Sequence, residues 1–130
     1  YTQARTGSND YKLPAAGAGK AGDWITITYT ADIGNTNVHT YHCTTDANFA
    51  LGSMLINGGG SRSGKVDVSV ADDEEIIITG ATNGDGGIGT TLQFVNKTGT
   101  TNGWSVLAKI ESQGDGTTAA AAFTACGFKA

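Results

Sequence analysis

The feature that most limits the fold is the alternation of apolar and polar residues at every second position, in short runs separated by turn residues. Between Trp24 and Thr30, two isoleucines and a tyrosine occupy alternate positions, and in Lys65–Val70 three valines alternate with polar residues. Because successive side chains of a strand point to opposite faces, each run places its apolar residues toward a core and its polar residues toward solvent. These runs predict half-buried β-strands, and Lys65–Val70 is the clearest of them.

The rest of the chain repeats this organisation. Asn-Gly pairs, which readily adopt the positive φ of tight turns, follow one another at 57–58, 83–84 and 102–103. No eleven-residue window has the periodicity of an amphipathic helix. We therefore predict an all-β fold, an antiparallel β-sandwich or jelly roll of about eight strands. The six further strands are Asp10–Leu13, Val38–Thr44, Ser53–Asn57, Glu75–Thr79, Thr90–Val95 and Trp104–Glu111.

The length of 130 residues indicates one domain with a single core. The first ten residues, YTQARTGSND, have no clear periodicity and end in four turn-forming residues. We predict a flexible N-terminal arm over residues 1–10 and a single β domain over residues 11–130. The glycine-rich stretches 84–87 and 114–116 are predicted to be mobile loop tips.

The charge balance disfavours several partners. The net charge is −4 and the isoelectric point is about 4.8, so the phosphates of DNA or RNA and anionic lipids would be repelled. No apolar run approaches the roughly 20 residues that a membrane-spanning helix needs. We expect neither nucleic acid nor a membrane as a partner.

Motifs for bound cofactors or metals are weak. Gly17–Lys20 suggests a phosphate-binding loop, but Ala21 follows the lysine where such a loop has Ser or Thr, and a strand follows where it has a helix. His39 and His42, three positions apart on a strand, project to opposite faces and cannot hold one ion together. The acidic run 72–75 lacks the spaced ligands of a calcium loop and is predicted to be solvated. We expect no cofactor and no metal.

Catalytic motifs are equally weak. There is no nucleophile elbow G-x-S-x-G, and nothing singles out a pair of carboxylates from the twelve acidic residues. We therefore do not expect an enzyme. Four aromatic residues were considered as a sugar-stacking surface, but a tryptophan at the start of a strand more often packs in the core. They are Trp24, Tyr29, Tyr41 and Trp104.

The two cysteines, Cys43 and Cys126, leave two alternatives open. A disulfide would tie the C-terminal end of the chain to the body. A free cysteine would instead act as a small buried apolar residue.

The order of several segments resembles small β domains of tailed-phage virions, including head decoration (cement) proteins. These segments are Leu13-Pro14, a small-residue spacer, the Thr-rich strand ITITYT, GIGTTLQFV, NGWSVLAKIES and the terminal AAAAFTA. The resemblance implies a compact sandwich or jelly roll, a homotrimer in many cases. It also implies a location on the exterior of the capsid, where a protein without enzymatic activity strengthens contacts between major capsid subunits.

Within this resemblance, the N-terminal arm is the expected contact with the major capsid protein. The contact residues would be Tyr1, Gln3, Ala4 and Arg5, and deletion of Tyr1–Gly7 should release the protein from shells. Trimerisation would strengthen binding by avidity.

Two other functions stay open at this point. The domain could bind a receptor or glycan at the tip of a phage fibre, through exposed Trp or Tyr. It could also be the subunit of an extracellular filament, in which residues 1–10 complete a neighbour's sheet as a donor strand.

Overall fold

The computed structural model of the chain is a two-sheet β-sandwich. It describes residues 1–4, 6–15, 20–34, 36–43, 49, 51–57, 64–70, 73–80, 85–97, 103–113 and 126–129. All eight predicted strands are present, and two short strands at the ends add to them. The strands are β1 Thr2–Gln3, β2 Asn9–Leu13, β3 Trp24–Tyr29, β4 Val38–Cys43, β5 Leu51–Ile56, β6 Lys65–Val68, β7 Glu75–Thr79, β8 Thr91–Asn96, β9 Trp104–Ile110 and β10 Gly127–Lys129.

The strands form one six-stranded and one four-stranded sheet, which confirms the predicted all-β sandwich. The order is β1-β3-β8-β9-β5-β6 in the large sheet and β10-β7-β4-β2 in the small sheet. The pairing is not purely antiparallel as predicted, because β1 with β3, β2 with β4 and β5 with β9 run parallel. A parallel pair needs a crossover rather than a hairpin, and strand patterns carry no signal for crossovers.

The core lies between the two sheets and takes a row of apolar side chains from β2 to β5 and from β7 to β10. Tyr41 of the small sheet lies 6.2 Å from Phe94 of the large sheet, measured between ring centroids, and Phe49 packs against both Phe94 and Phe128. Trp104 closes one end, and its indole nitrogen donates a hydrogen bond to the carbonyl of Pro14 at 2.8 Å. Burial of this row supplies most of the stabilisation of such a fold.

Strand β6 is present as predicted, but the assignment of its faces was wrong. Val66, Val68 and Val70 are 65%, 56% and 68% exposed, whereas Lys65 and Asp67 are partly buried. Asp67 faces inward because its Oδ2 accepts a hydrogen bond from the backbone N–H of Phe128 at 2.9 Å. The carboxylate holds β10 in place, and the period of two then turns the valines to solvent.

The N-terminal segment, predicted as a separate arm, contributes strands to both sheets. Thr2–Gln3 pairs with β3 at the edge of the large sheet, and β2 begins at Asn9 and pairs with β4 in the small sheet. Between them, the amide of Asn37 donates to the carbonyl of Thr6, and Val38 N–H donates to the hydroxyl of Ser8. The segment therefore crosses from one sheet to the other.

Parts of two stretches that were predicted to lie in solvent are buried. Asp85, Gly86 and Gly87 are all buried rather than forming a mobile loop tip. Gly86 has φ +79°, and a Cβ on Gly87 would collide with the carbonyl of Ser112, so both positions require glycine. In the acidic run, Asp73 is only 7% exposed, because its Oδ2 accepts the N–H of Val70 at 2.7 Å and closes a turn. Residues 114–116 lie outside the described residues.

Candidate partner-binding surfaces

Tyr1 occupies the edge of the large sheet with its side chain in solvent. Its α-ammonium donates to the carbonyl of Thr26 at 2.8 Å, and the N–H of Thr28 donates to the carbonyl of Tyr1 at 3.0 Å. The side chain is 89% exposed. Two backbone hydrogen bonds thus fix the position of Tyr1 and leave its ring available for contact.

The other predicted contact residues are only partly described. The backbone of Gln3 lies opposite Tyr29 of β3, and Ala4 is exposed. The side chain of Gln3 and all of Arg5 lie outside the described residues. Of the four predicted contact residues, the structure therefore describes the side-chain exposure of Tyr1 and Ala4.

A groove of about 580 Å³ opens beside Tyr1, between β2 and β3. Tyr11, on the groove wall, stacks on Tyr41 with the ring centroids 4.8 Å apart. Ile25 and Ile27 are half-buried and pack against the core from the opposite side. The groove is a largely apolar surface on rigid strands, and together with Tyr1 it forms what we call the N-terminal edge. Its main lining residues are Tyr1, Tyr11, Leu13, Pro14, Ile25 and Ile27.

A buried polar network connects this edge to the core. His39 is fully buried, and its Nε2 lies 2.9 Å from the carbonyl of Gly7. Because a carbonyl only accepts, Nε2 carries the hydrogen, and Nδ1 of the neutral ring accepts from the Tyr29 hydroxyl at 2.8 Å. The Tyr29 oxygen then accepts from the Tyr41 hydroxyl, also at 2.8 Å. Three side chains in series thus hold the N-terminal segment at Gly7.

Burial shifts the protonation of this network. Desolvation lowers the pKa of His39 below its ordinary value, and the hydrogen bond to Gly7 opposes that shift. Desolvation also raises the pKa of Tyr29, with a further contribution from the neighbouring Tyr41. Both groups are therefore neutral near pH 7. His39 therefore has a structural role.

A second surface is the solvent side of the large sheet, which we call the outer face. It consists of the outward side chains of β3, β8, β9, β5 and β6. The register aligns them in rows across the strands: Thr26, Gln93, Leu107, Ser53 and Val68 in one row, and Thr28, Thr91, Lys109, Leu55 and Val66 in the next. This surface was not predicted from the sequence, because the valines of β6 were expected to face the core.

The outer face changes character from one end to the other. At the β3 end the half-buried Thr26 and Thr28 lie beside the exposed Trp24, whereas at the other end Leu55, Val66, Val68 and Leu107 are 43%, 65%, 56% and 61% exposed. Lys109, the charged residue in these two rows, forms an ion pair with Glu111. The apolar end is therefore broad and carries almost no net charge.

The other chemical groups considered in the sequence do not form a site. His39 is buried, while His42 lies on the opposite face of β4 and pairs with Asp10 at 2.7 Å. Within the described part of the chain, no three His, Cys, Asp or Glu side chains are grouped so that they could hold a metal ion.

The four aromatic residues do not form a sugar-stacking surface. Three of them are in the core, with Tyr29 1%, Tyr41 0% and Trp104 4% exposed. Trp24 is 66% exposed, and it lies beside Val95 on the outer face. The predicted core role therefore holds for Trp104, and Trp24 is a surface residue.

Cys126 is a free, fully buried thiol. Desolvation raises the pKa of the thiol, and the nearby Asp85 raises it further. Cys126 is therefore protonated and acts as a small core residue. The side chain of Cys43 lies outside the described residues.

Among the residues described, no helix is long and apolar enough to cross a membrane. Comparisons of the chain with protein-family models, with curated proteins and with solved structures gave no match.

Proposed function

We propose that this protein is a non-enzymatic structural component of a phage virion. It binds the outer surface of the capsid and stabilises contacts between neighbouring major capsid subunits. The bound form is a homo-oligomer, a trimer by the resemblance described above. The observation that carries the proposal is the N-terminal edge, where exposed Tyr1 stands beside an apolar groove.

The geometry of Tyr1 suits an anchor residue. Exposed aromatic rings that enter a partner's pocket contribute a large share of the binding energy in protein interfaces. The backbone of Tyr1 is already fixed by hydrogen bonds to Thr26 and Thr28, so less conformational entropy is lost on binding than for a free tail. The groove walls of Tyr11, Ile25 and Ile27 add apolar area next to the ring.

The internal network supports the same function mechanically. A protein that strengthens a shell has to transmit load from its contact residues to a rigid body. The hydrogen bonds from His39 to Gly7 and from Asn37 to Thr6 join the N-terminal segment to β4 and to the loop before it. Contacts made by Tyr1 are thus connected to the core of the small sheet as well as to β3.

Cosedimentation with empty capsids built from the major capsid protein of the same genome tests the proposal. Deletion of Tyr1–Gly7 removes a carbonyl that the buried His39 needs, so a fold defect would confound the result. A shorter deletion, Tyr1–Ala4, and the point change Tyr1→Ser leave that hydrogen bond in place. We expect both variants to lose most of their binding to capsids while they keep the thermal stability of the wild type to within a few degrees.

Ile88→Ser is the matched control, because Ile88 is 63% exposed and lies away from the N-terminal edge. It should bind capsids as the wild type does. Full occupancy by the Tyr1–Ala4 deletion would reject the N-terminal edge as the contact. Absence of wild-type protein from the capsid pellet would reject the function.

A receptor- or glycan-binding domain of a phage fibre is the second candidate, and exposed Trp24 is the observation that favours it. An exposed indole ring can stack on a sugar. A glycan array distinguishes the two functions, because the capsid-binding proposal expects no signal. Signal that disappears in Trp24→Ala would establish the second candidate.

A further inference from the structure

We infer that the outer face of the large sheet is the surface through which copies of this chain associate. The occupant is a second copy of this chain, packed face to face about a two-fold axis. This contact is separate from the trimer of the proposed function. It does not depend on the capsid.

The first argument is the choice of residues at outward positions. Strand β3 turns Thr26 and Thr28 outward, as a wet sheet face normally does, together with the exposed Trp24. Strand β6 faces the same solvent with Val66 and Val68, although it is an edge strand, where charged residues usually limit association. The inward Asp67 explains why the valines point outward, but it does not explain why those positions are apolar. A partner that covers the face explains it.

The second argument is charge. The chain carries a net charge of −4, so two copies repel each other wherever acidic surfaces meet. On the outer face, Lys109 is neutralised by Glu111, whose pKa is lowered chiefly by the hydrogen bond from Asn57 and also by Lys109. This face therefore approaches a second copy of itself without like-charge repulsion.

The third argument is area. Five strands about 4.8 Å apart, of six or seven residues except for the four of β6, at about 3.3 Å per residue, give a footprint of at most about 20 Å by 20 Å. Two such faces bury about 1,000 Å² in total once the relief of the side chains is counted, which is the size at which specific interfaces begin. Two flat sheet faces also pack well at the spacing of about 10 Å found in sandwiches. The area predicts a reversible oligomer.

Sedimentation velocity of the full chain, without capsids and over a range of concentrations, tests the inference. The wild type should exceed the monomer mass of 13.2 kDa as concentration rises. The double variant Val68→Lys/Leu107→Lys places two cations on the apolar end of the face, and we expect its dissociation constant to rise at least about 100-fold. Far-UV circular dichroism checks that it is folded. Leu107→Thr is the milder variant, with the same direction of change.

Ile88→Lys is the matched control, because it adds one lysine at an exposed apolar residue that belongs to neither row of the outer face. Association that persists in Ile88→Lys and is lost in the outer-face variants supports the inference. A wild type that stays monomeric at its highest soluble concentration overturns it. Equal association by the wild type and both outer-face variants, or loss of association in Ile88→Lys, overturns it as well. Because capsids are absent, each of these results leaves the cosedimentation test unaffected.

Discussion

Replacement of Tyr29 by phenylalanine removes the hydroxyl that joins His39 to Tyr41 in the core. Two hydrogen bonds of 2.8 Å are lost, and Nδ1 of the fully buried His39 is left without its donor. An unsatisfied buried acceptor costs about 1–3 kcal/mol, and the second hydrogen bond adds about 1 kcal/mol. We expect Tyr29→Phe to lower the free energy of unfolding by about 3 kcal/mol. For a domain of this length the melting temperature then falls by roughly 10 °C.

Urea unfolding followed by tryptophan fluorescence measures the free energy, and a calorimetric scan measures the melting temperature. Tyr1→Phe is the matched control, because it removes the same hydroxyl from a side chain that is 89% exposed and should leave stability unchanged. A loss below about 0.5 kcal/mol in Tyr29→Phe would refute the reasoning, since it would mean that the hydroxyl carries no net hydrogen bond in the folded chain.

Two further predictions concern His39 and the inverted strand β6. Because burial lowers the folded pKa of His39 below 6.5, the unfolded chain binds the proton more readily. Stability should therefore fall as the pH drops below about 6.5, until the folded pKa is passed. His39→Gln should reduce this dependence in urea titrations at about pH 8 and about pH 5, and an unchanged difference would contradict it. Val66→Thr, in dilute solution, should change the free energy of unfolding by less than about 0.5 kcal/mol. A loss above about 1 kcal/mol would mean that the side chain of Val66 is buried in the core.

The strands themselves were predictable, because local alternation records which residues are extended. The period of two in Trp24–Thr30 located β3 and assigned its faces correctly, with Tyr29 buried. The same period located β6 but could not tell which of its faces met the core. That choice depends on Asp67, whose hydrogen-bond partner Phe128 is 61 residues away. At this edge of the sheet, the hydrogen bond of one partly buried carboxylate decides which face of the strand is inward, although it leaves three valines exposed.

The elements at the two ends of the chain were not predictable. A strand of two residues, Thr2–Gln3, or of three, Gly127–Lys129, is too short to show a period. Both are held by partners far along the chain, β3 and β7 respectively. Long-range pairing of this kind leaves no trace in a local window.

The candidate site was predictable in part. Tyr1 and Ala4 were predicted as contact residues. The polar network that holds their segment in place was not predictable, because His39 and Gly7 are 32 positions apart in the sequence. A metal site at His39 was already disfavoured by the sequence, because His42 projects to the opposite face of the strand. The full burial of His39 and its two hydrogen-bond partners were not predictable, since Gly7 and Tyr29 come from other segments of the chain.

The parallel pairing of the N-terminal segment has a consequence for the order of folding. During synthesis β1 and β2 leave the ribosome before β3 and β4, the strands with which they pair. Neither can dock until its partner has been made and placed beside β8 or β7. Strands β1 and β2 therefore stay unpaired in the nascent chain until residues 26 to 30 positions further along have been synthesised, since Thr2 pairs with Thr28 and Asn9 with His39.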